Sequence, residues 1–369
     1  MPRKIVALVP AYNESSSIGA TIEALLTQTR PIDVIVIIPN GCTDDTADVA
    51  RSYATDDNTL VVYELPRLEH KKSQALNMAW NKYARDADIV ISIDADTIFD
   101  PDAVEQWEKD FDGTTRRKRH YKPLGGSAAK ATMPKEGFWD RLQKAEFARS
   151  VDASLQRGYT TVLPGAGAAF DNTALLRIVD ETDREGPWSY ESPVEDFELT
   201  YQLRKRNYLC MVSPNVRMYT DSMSSFRAMW DQRMKWSTGT IDDLLTIGFN
   251  RLTFIDWWHQ FLCAFMISVR MLWLFLIVLQ VTLGIFQVHW FWWAVYPLVI
   301  AGSQFYLSWR IPNADWKDKA LAGTIAPYEI FGYIAMAWFV AAWKEVLISR
   351  LTGRYKDRWA LQYHAEGVG

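Results

Sequence analysis

Two long apolar runs in the carboxyl-terminal third of the chain restrict its fold more than any other feature of the sequence. From Trp257 to Trp309 the only formally charged side chain is Arg270, and from Ala320 to Trp343 it is Glu329. A helix needs about 20 apolar residues to cross the hydrocarbon core of a bilayer. Many of the tryptophans lie at the edges of these runs, where amphipathic rings favour the membrane interface. The alternative is a buried helical bundle in a large soluble domain, and the sequence favours a membrane-embedded region.

This region divides into three apolar segments, Trp257–Leu283, Trp290–Trp309 and Thr324–Leu347. Only Gly284 to His289 separates the first two, which we expect to form a tight hairpin. Basic residues follow the hairpin and the third segment, and the positive-inside rule places both groups in the cytoplasm. Three full crossings would violate that rule, so the third segment is predicted to be re-entrant or to lie in the interface. The basic residues are Arg310, Lys317, Lys319, Arg350, Arg354, Lys356 and Arg358.

Charge and cysteine content exclude several other classes of protein. The 369 residues carry a net charge of −4, which gives no global electrostatic reason to expect a nucleic-acid partner. Cys42, Cys210 and Cys263 are widely spaced and form no C-x-x-C pair. We therefore expect reduced thiols, and neither a disulfide scaffold nor a zinc ribbon.

Predicted strands and helices alternate before the apolar region. Short runs rich in β-branched residues predict strands, and the stretches between them have helical patterns. This alternation predicts a parallel sheet with helices on both faces, and in such a sheet ligands gather at the carboxyl ends of the strands. The strands are Ile5–Val9, Val34–Ile38, Leu60–Tyr63 and Ile89–Ile93, and the helices are Ser16–Gln28, Thr43–Tyr53 and Lys72–Tyr83.

Polar loops follow three of these strands. They run from Pro10 to Glu14, from Pro39 to Thr46 and from Asp94 to Asp96, and we expect them to converge on one crevice. No G-x-G-x-x-G and no Walker lysine motif is present, so dinucleotide or P-loop chemistry lacks its phosphate cradle. The carboxylates of Asp94 and Asp96 suit Mg²⁺ or Mn²⁺, with substrate phosphates completing the ligand set. The alternative is that the pair merely caps a turn.

The segment from Ser192 to Leu199 predicts the start of a helix that carries acidic residues. Ser192 as N-cap, Pro193 at the first helical position and Glu195 form a predicted capping box. Asp196 has no part in that box and is a candidate general base for an attacking hydroxyl. A carboxylate that only favours the helix dipole is the alternative.

The stretch Gln232-Arg233-Met234-Lys235-Trp236 places a cation beside an aromatic ring. If it is helical, Gln232 and Trp236 share a face and Lys235 lies beside them. These residues either mark the membrane interface or hold a pyrophosphate and stack on a sugar. The spacing alone does not choose between the two.

In their order along the chain, these motifs resemble those of the family 2 glycosyltransferases, in particular the membrane-integrated members. The resemblance covers residues 4–240 and implies an α/β GT-A fold, which is Rossmann-like with a mostly parallel sheet and flanking helices, followed by a C-terminal α-helical membrane region. The motifs are Ala11-Tyr12-Asn13-Glu14, Gly41 to Thr46, Lys72-Ser73-Gln74-Ala75-Leu76-Asn77, Asp94-Ala95-Asp96, Glu195-Asp196 and Gln232 to Trp236.

The motifs, the apolar runs and the basic residues together predict a division of the chain into four parts. Residues 1–222 would form the catalytic domain, and 223–250 an amphipathic interfacial helix with the Q-x-x-K-W motif. Residues 251–349 would form membrane-embedded helices, and 350–369 a basic cytoplasmic tail.

The resemblance implies roles for individual residues. Asp196 would be the catalytic base with Glu195 beside it, and Asp96 the metal ligand, with Asp94 near the metal and the donor sugar. Gly165, Gly167 and Trp236 would lie on the acceptor side. The donor would be bound by Pro10, Tyr12, Asn13, Glu14, Asn40, Asp44, Lys72, Asp94, Gln232, Lys235 and Trp236.

Two positions depart from the family pattern. Aspartate is common where Asn40 stands, which loosens the inference that the base is uracil. Arginine is common where Lys235 stands, and lysine is a point charge without the planar fork of arginine. The arginine form is associated with processive polymer synthesis, so the lysine favours one or a few sugar transfers.

These features predict an inverting, metal-dependent glycosyltransferase that uses a nucleotide sugar, with UDP as the expected nucleotide. The expected partners are that donor, a glycan, lipid-linked or protein acceptor, and a lipid bilayer, with the catalytic domain in the cytoplasm and a multi-pass or hairpin anchor. A catalytically silent, membrane-anchored nucleotide-sugar-binding or scaffold protein is the alternative. A soluble nucleotidyltransferase is a more distant one, because it would need no apolar tail.

Overall fold

An eight-stranded sheet forms the first of two units into which the chain divides. This unit comprises Met1–Glu136 and Ser150–Ser222, and the second comprises Gly137–Arg149 and Met223–Gly367. Residues 137–149 thus belong to the second unit, although the predicted catalytic domain runs from 1 to 222. The computed structural model describes residues 2–54, 59–113, 122–285, 298–299, 302–303, 305–306, 309 and 314–366.

The sheet is parallel in its first half and mixed in its second. Its order is β3-β2-β1-β4-β7-β6-β8-β5, and the first four strands in this order run parallel. Strand β7 is antiparallel to both β4 and β6, β6 is parallel to β8, and β5 is antiparallel to β8. The strands are β1 Ile5–Ala11, β2 Val34–Pro39, β3 Leu60–Val62, β4 Ile89–Ile93, β5 Ile98–Phe99, β6 Leu124–Thr132, β7 Gly167–Asp171 and β8 Leu209–Tyr219.

The helices of the first unit bury the apolar strands. Residues 5–9 of β1 are at most 1% exposed, as expected for a parallel strand covered on both faces. Trp80 lies in the core and donates from its indole nitrogen to Asn172 Oδ1 at 2.9 Å. The predicted α/β class with flanking helices is confirmed. The helices are α1 Ile18–Leu26, α2 Thr46–Ser52, α3 Lys71–Ala79 (continued by a π-helical turn, Trp80–Ala84), α4 Ala103–Phe111, α5 Phe138–Arg157, α6 Asn172–Thr182 and α7 Glu195–Lys205.

The described part of the second unit is helical. Helix α8 packs against α11 through an apolar cluster that includes Met229, Met234, Trp338 and Ala342. Helix α10 begins with a capping box of Asp315 and Asp318. Its helices are the amino-terminal part of α5, α8 Phe226–Ile247, α9 Phe254–Thr282, α10 Trp316–Gly323, α11 Ile325–Thr352 and α12 Arg358–Glu366.

Two described helices are long and apolar enough to cross a membrane, α9 over its whole length and α11 over Glu329–Thr352. Each apolar run contains one charged side chain, and these two form an ion pair. A guanidinium nitrogen of Arg270 lies 3.3 Å from a carboxylate oxygen of Glu329. Gly332 makes room for this pair, since a Cβ there would lie 2.8 Å from an Arg270 nitrogen. Paired charges are the usual form of ionisable residues at membrane depth.

The structure excludes one of the two forms predicted for the third apolar segment. Helix α11 runs unbroken from Ile325 to Thr352, so the segment is not a re-entrant loop, and a position in the interface stays a prediction. Pro327 falls in its first turn, where proline is tolerated. Most of the predicted segment Trp290–Trp309, the end of the predicted hairpin turn and Arg310 lie outside the described residues.

Candidate active site

The loops after β1 and β2 are tied together by hydrogen bonds. Asn13 Nδ2 donates to Thr43 Oγ1 at 3.1 Å, and the Thr43 amide donates back to Asn13 Oδ1 at 2.8 Å. The Glu14 amide donates to Thr46 Oγ1 at 2.7 Å. Asn13 has a φ of 55°, a left-handed conformation that asparagine tolerates better than most residues. The first two predicted polar loops therefore do meet.

Asp44 is the carboxylate that secures this junction. Its oxygens accept from the Ser15 amide at 3.0 Å and from the Thr46 amide at 3.1 Å. Burial acts to raise the pKa of Asp44, but the hydrogen bonds from Thr46 and Ser15 outweigh it and hold that pKa below its usual range. Asp44 thus has a structural role at the site that was predicted to bind the donor.

Asn40 orders the loop that leads into α3. It is 8% exposed, and its amide nitrogen donates to the Lys71 carbonyl at 3.1 Å. Its amide oxygen accepts from the Leu68 amide at 3.2 Å. The buried asparagine therefore positions the start of the helix that carries Lys72.

The other predicted donor residues lie around the same loops. Pro10 is in β1 opposite Ile38. The Tyr12 ring lies under the Arg67 guanidinium, 5.7 Å from ring centroid to Cζ. A carboxylate oxygen of Glu14 accepts from Ser17 Oγ at 2.6 Å, at the start of α1. These residues lie at the carboxyl end of β1, and their role in donor binding stays a prediction.

Asp94 and Asp96 follow β4 at the same edge of the sheet. Ala95 between them is buried, and its carbonyl accepts from Thr21 Oγ1 at 2.8 Å. The Asp94 amide donates to the Ala166 carbonyl at 3.3 Å. Backbone contacts on both sides therefore fix the direction in which the turn presents its two carboxylates.

The negative charges around Asp96 fit a hard divalent cation. Burial first, then the charges of Asp94, Glu14 and Asp221, raise the pKa of Asp96 to about 7. In the part of the chain that the structure describes, no group of three or more His, Cys, Asp or Glu side chains is placed to hold a metal. Two carboxylates suit Mg²⁺ or Mn²⁺, which keep water or substrate phosphates as further ligands.

The acidic start of α7 differs from its predicted capping. Val194 is the N-cap and Glu195 the first helical residue, so the predicted capping box of Ser192 and Glu195 is wrong. Ser192 Oγ instead accepts from the Val194 amide at 3.1 Å, a local turn that competes with the box. Asp196 lies in the first turn as predicted, and its two carboxylate oxygens accept from the Phe197 amide at 2.8 Å and the Gly165 amide at 3.3 Å.

Lys72 links the Asp94 carboxylate to the start of α7. Its ammonium lies 2.5 Å from Asp94 Oδ1 and 3.6 Å from Glu195 Oε1. Burial disfavours the charged lysine, but the Asp94 and Glu195 carboxylates outweigh burial and raise the pKa of Lys72 above its usual range. Lys72 was predicted to approach the nucleotide, and the structure makes it the cation that joins two acidic elements.

Asp196 has the electrostatic properties of a base near neutral pH. Burial first, and then the charge of Glu195, raise its pKa to about 6. Lys72 and the hydrogen bonds from the Gly165 and Phe197 amides act in the opposite direction. At pH 7 most of this carboxyl group is therefore ionised, yet its pKa is close enough to neutrality for proton transfer.

The two predicted acceptor-side glycines have different surroundings. A Cβ at Gly165 would lie 3.0 Å from the Lys72 ammonium and 3.5 Å from Glu195 Oε1, so Gly165 borders the charged cluster. Gly167 lies in β7, where a Cβ would approach the Met218 sulfur to 2.4 Å. Close packing within the sheet leaves no room for a side chain at Gly167. At Gly165 the nearby Lys72 and Glu195 side chains leave little room for one.

The Q-x-x-K-W residues lie on α8 in the second unit. Gln232 Oε1 accepts from Arg233 at 2.5 Å, and the Arg233 guanidinium lies 4.7 Å from the centroid of the Trp236 ring. The Lys235 ammonium lies 3.5 Å from the centroid of the Trp359 ring in α12. The predicted helix is confirmed, and Trp359 is a neighbour that the sequence reasoning missed.

Comparison with known protein families decides the classification. A model described as "Glycosyltransferase like family 2" matches residues 2–239. This chain belongs to glycosyltransferase family 2. The match includes every motif on which the resemblance was based, from the loop after β1 to the Q-x-x-K-W helix.

Curated relatives carry the name poly-β-1,6-N-acetyl-D-glucosamine synthase. The protein of Staphylococcus aureus (strain COL) is 24% identical over 281 residues, which are 74% of this chain and 63% of the relative. The protein of Staphylococcus epidermidis is 25% identical over 244 residues, 64% of this chain and 55% of the relative. The chain thus spans less than two thirds of these relatives.

A solved structure shares the fold of the chain. It is a mannosyltransferase from Pyrobaculum calidifontis in complex with GDP-Man and Mn²⁺, similar at a TM-score of 0.57 and 16% identity. The similarity covers 94% of this chain and 88% of that one. The predicted GT-A fold is therefore confirmed.

Asn77 is a further residue whose role the sequence did not reveal. Its amide nitrogen donates to the Trp188 carbonyl at 2.7 Å, and its amide oxygen accepts from the Trp188 amide at 3.0 Å. Asn77 is 2% exposed and lies on α3 with Lys72. Helix α3 therefore holds the chain before Asp196 at two points, Trp188 and Glu195. The Lys72-to-Asn77 motif was a signal for this helix, but not for its partners.

Proposed function

We propose that this protein transfers a sugar from a nucleotide sugar to a hydroxyl group of a membrane-associated, lipid-linked or polysaccharide acceptor, with inversion at the anomeric carbon. The observation that carries the proposal is the cluster of Asp94, Lys72, Glu195 and Asp196. Through Lys72 it connects the acidic turn after β4 to a carboxylate suited to be a base.

Asp196 is the proposed general base. It takes the proton from the acceptor hydroxyl while that oxygen bonds to the anomeric carbon, and the bond from this carbon to the diphosphate oxygen breaks. The nucleoside diphosphate leaves on the opposite face, so one displacement inverts the configuration. Glu195 and Lys72 hold the start of α7 in place, and Gly165 leaves room beside the carboxylate.

Asp96 and Asp94 are the proposed ligands of Mn²⁺ or Mg²⁺. A bound cation would neutralise negative charge on the departing diphosphate. Two observations support the proposal. Burial and then nearby negative charges raise the pKa of Asp96 to about 7, and the mannosyltransferase of the same fold was solved with Mn²⁺.

We propose a UDP-sugar as donor and a glycan as acceptor. Uracil is the base that the family resemblance implies, and the relatives named as N-acetyl-D-glucosamine polymer synthases support a glycan acceptor. Gln232, Lys235 and Trp236 are assigned to the diphosphate and the acceptor sugar by their motif. Lys235 stands where arginine is common, which favours one or a few transfers over long processive synthesis.

The proposed location is a membrane, with the catalytic domain in the cytoplasm, where nucleotide sugars are available. Helices α9 and α11 are apolar enough to span a bilayer, which supports this location. Arg350, Arg354 and Lys356 follow at the end of α11 and suit a cytoplasmic position.

The test is donor turnover by the full chain in detergent. UDP-, GDP- and dTDP-sugars are incubated with Mn²⁺ or Mg²⁺, and nucleoside diphosphate release is measured for the wild type, Asp96→Ala and Asp196→Asn. We expect metal-dependent release from one donor that is lost in Asp96→Ala. Tight binding of a donor without turnover, even with a panel of glycan and lipid-linked acceptors, would favour the silent-binder alternative, because a binder needs the donor site but performs no transfer.

A further inference from the structure

The carboxyl-terminal helix α12 is anchored to α8 beside the Q-x-x-K-W motif. The Arg358 guanidinium bonds to Glu345 of α11, with Nε 2.7 Å from Oε1, and lies 3.7 Å from Asp231 of α8. Asp231 directly precedes Gln232. Asp357 stabilises the first turn of α12, because its Oδ1 accepts from the Ala360 amide at 3.0 Å. These contacts hold Arg358 and the first turn of α12, and so they fix the position of Trp359, which follows Arg358 in the sequence.

Trp359 presents its ring to the Lys235 ammonium. The nitrogen lies 3.5 Å from the ring centroid, and the lysine is 7% exposed. A cation over an indole ring is attracted by the ring quadrupole, more strongly where water is excluded. Among the described residues, the apolar cluster between α8 and α11 does not include Trp359. The ring also lies 5.8 Å from the Tyr363 ring of the same helix, centroid to centroid, so Trp359 contacts both Lys235 on α8 and Tyr363 on α12.

We propose that Trp359 is a positioning residue that holds the Lys235 side chain ready for the diphosphate of the nucleotide. This inference rests on the proposed function, in which Lys235 binds that group. A lysine side chain is long and flexible, so an unrestrained ammonium would lose conformational freedom on each binding event. Trp359 reduces that loss by fixing the direction of the Lys235 side chain on α8.

The test measures nucleotide affinity in the full chain. UDP and UMP, with GDP and GMP as a second pair, are titrated with Mn²⁺ into the wild type, Trp359→Ala, Trp359→Phe, Trp359→Leu, Lys235→Met and the double variant that combines Lys235→Met with Trp359→Ala. Leu361→Ala is the matched control, since Leu361 lies on the same helix and is 41% exposed. Thermal unfolding of every variant is recorded in the same detergent.

We expect Trp359→Ala to weaken diphosphate binding by about 10-fold, the size of a partly desolvated cation–π contact, and to leave monophosphate binding within about 2-fold. Trp359→Phe keeps a ring and should restore most of the affinity. In the Lys235→Met background, Trp359→Ala should cause no further loss, because the two residues act as one unit.

Several results would overturn the proposal. One is a lower melting temperature in Trp359→Ala with unchanged diphosphate affinity, which would mean that the tryptophan is only structural. Another is a gain in affinity, which would make the helix an inhibitory cover. If Trp359→Ala does not fold, equal diphosphate binding by Trp359→Leu and Trp359→Phe would refute the role of the ring. A wild type that binds neither UDP nor GDP would refute the proposed function itself, and this role with it.

Discussion

Replacement of Lys72 by methionine removes the positive charge that joins the two acidic elements of the site. The ammonium lies 2.5 Å from Asp94 and 3.6 Å from Glu195. Removing one partner of a buried ion pair costs about 3–5 kcal/mol. Because the Asp94 side chain is 38% exposed, water screens part of that loss, and we expect the free energy of unfolding to fall by about 2–3 kcal/mol.

The same change should alter the pH dependence of catalysis. Burial and Glu195 raise the pKa of Asp196 to about 6, and Lys72 acts to lower it. Without Lys72 that pKa should rise by about one unit. A general base works in its deprotonated form, so activity falls as the pH drops through this pKa. The acid limb of the kcat/KM profile of Lys72→Met should therefore lie at higher pH than that of the wild type.

The assay is nucleoside diphosphate release as a function of pH, together with denaturant unfolding. Lys72→Arg keeps the charge and should retain the wild-type acid limb. Lys82→Met removes an exposed positive charge that lies over the Tyr63 and Tyr83 rings, and it should leave the acid limb in place. An acid limb of Lys72→Met that stays in place or moves to lower pH would refute the reasoning.

Four further predictions concern other parts of the chain. In the wild type, kcat/KM should decline below about pH 6, which a pH profile of transfer checks. Asp196→Asn should abolish transfer but leave nucleotide affinity within about 3-fold, because a base acts mainly in the transition state. Transfer and nucleotide-binding assays on this variant check the second prediction. Asn77→Ala leaves the buried Trp188 amide and carbonyl without these partners and should lower the free energy of unfolding by about 2–4 kcal/mol in denaturant melts. Glu329→Leu leaves Arg270 without this counter-charge and should lower stability in lipid vesicles by roughly 1–3 kcal/mol, which the additional change Arg270→Leu should largely restore.

Much of the parallel half of the fold could be predicted because its signals are local. The apolar runs of β1, β2 and β4 differ from the observed strands by at most two residues at an end. Each is followed by polar residues that the sheet necessarily brings to one edge. The antiparallel entry of β7 between β4 and β6 depends on a long-range chain reversal, and no local pattern in Gly167–Asp171 encodes it.

The site was predicted less completely than the fold. Asp94, Asp96 and Asp196 were chosen by their residue type and their position after a strand or at a helix start, which sequence reveals. The partnership of Lys72 with Glu195, and of Asn77 with the segment before α7, joins residues more than 100 positions apart in the chain. Such pairs leave no periodic signal.

The carboxyl-terminal segment shows the same limit. Residues 350–369 were predicted as a basic tail because their charges are evident, and no helix was predicted there. A nine-residue helix has little intrinsic stability. Helix α12 forms there because Arg358 pairs with Glu345 and Trp359 packs on Lys235. These contacts depend on tertiary structure, which the composition of a short segment does not reveal.

The most direct test of the central claim is the anomeric configuration of the transferred sugar. The full chain in detergent is given its nucleotide sugar, divalent metal and an acceptor, and the product is examined by NMR. A single displacement assisted by Asp196 predicts an anomeric configuration opposite to that of the donor, and no product from Asp196→Asn. Retention of the donor configuration, or undiminished transfer by Asp196→Asn, would contradict the account.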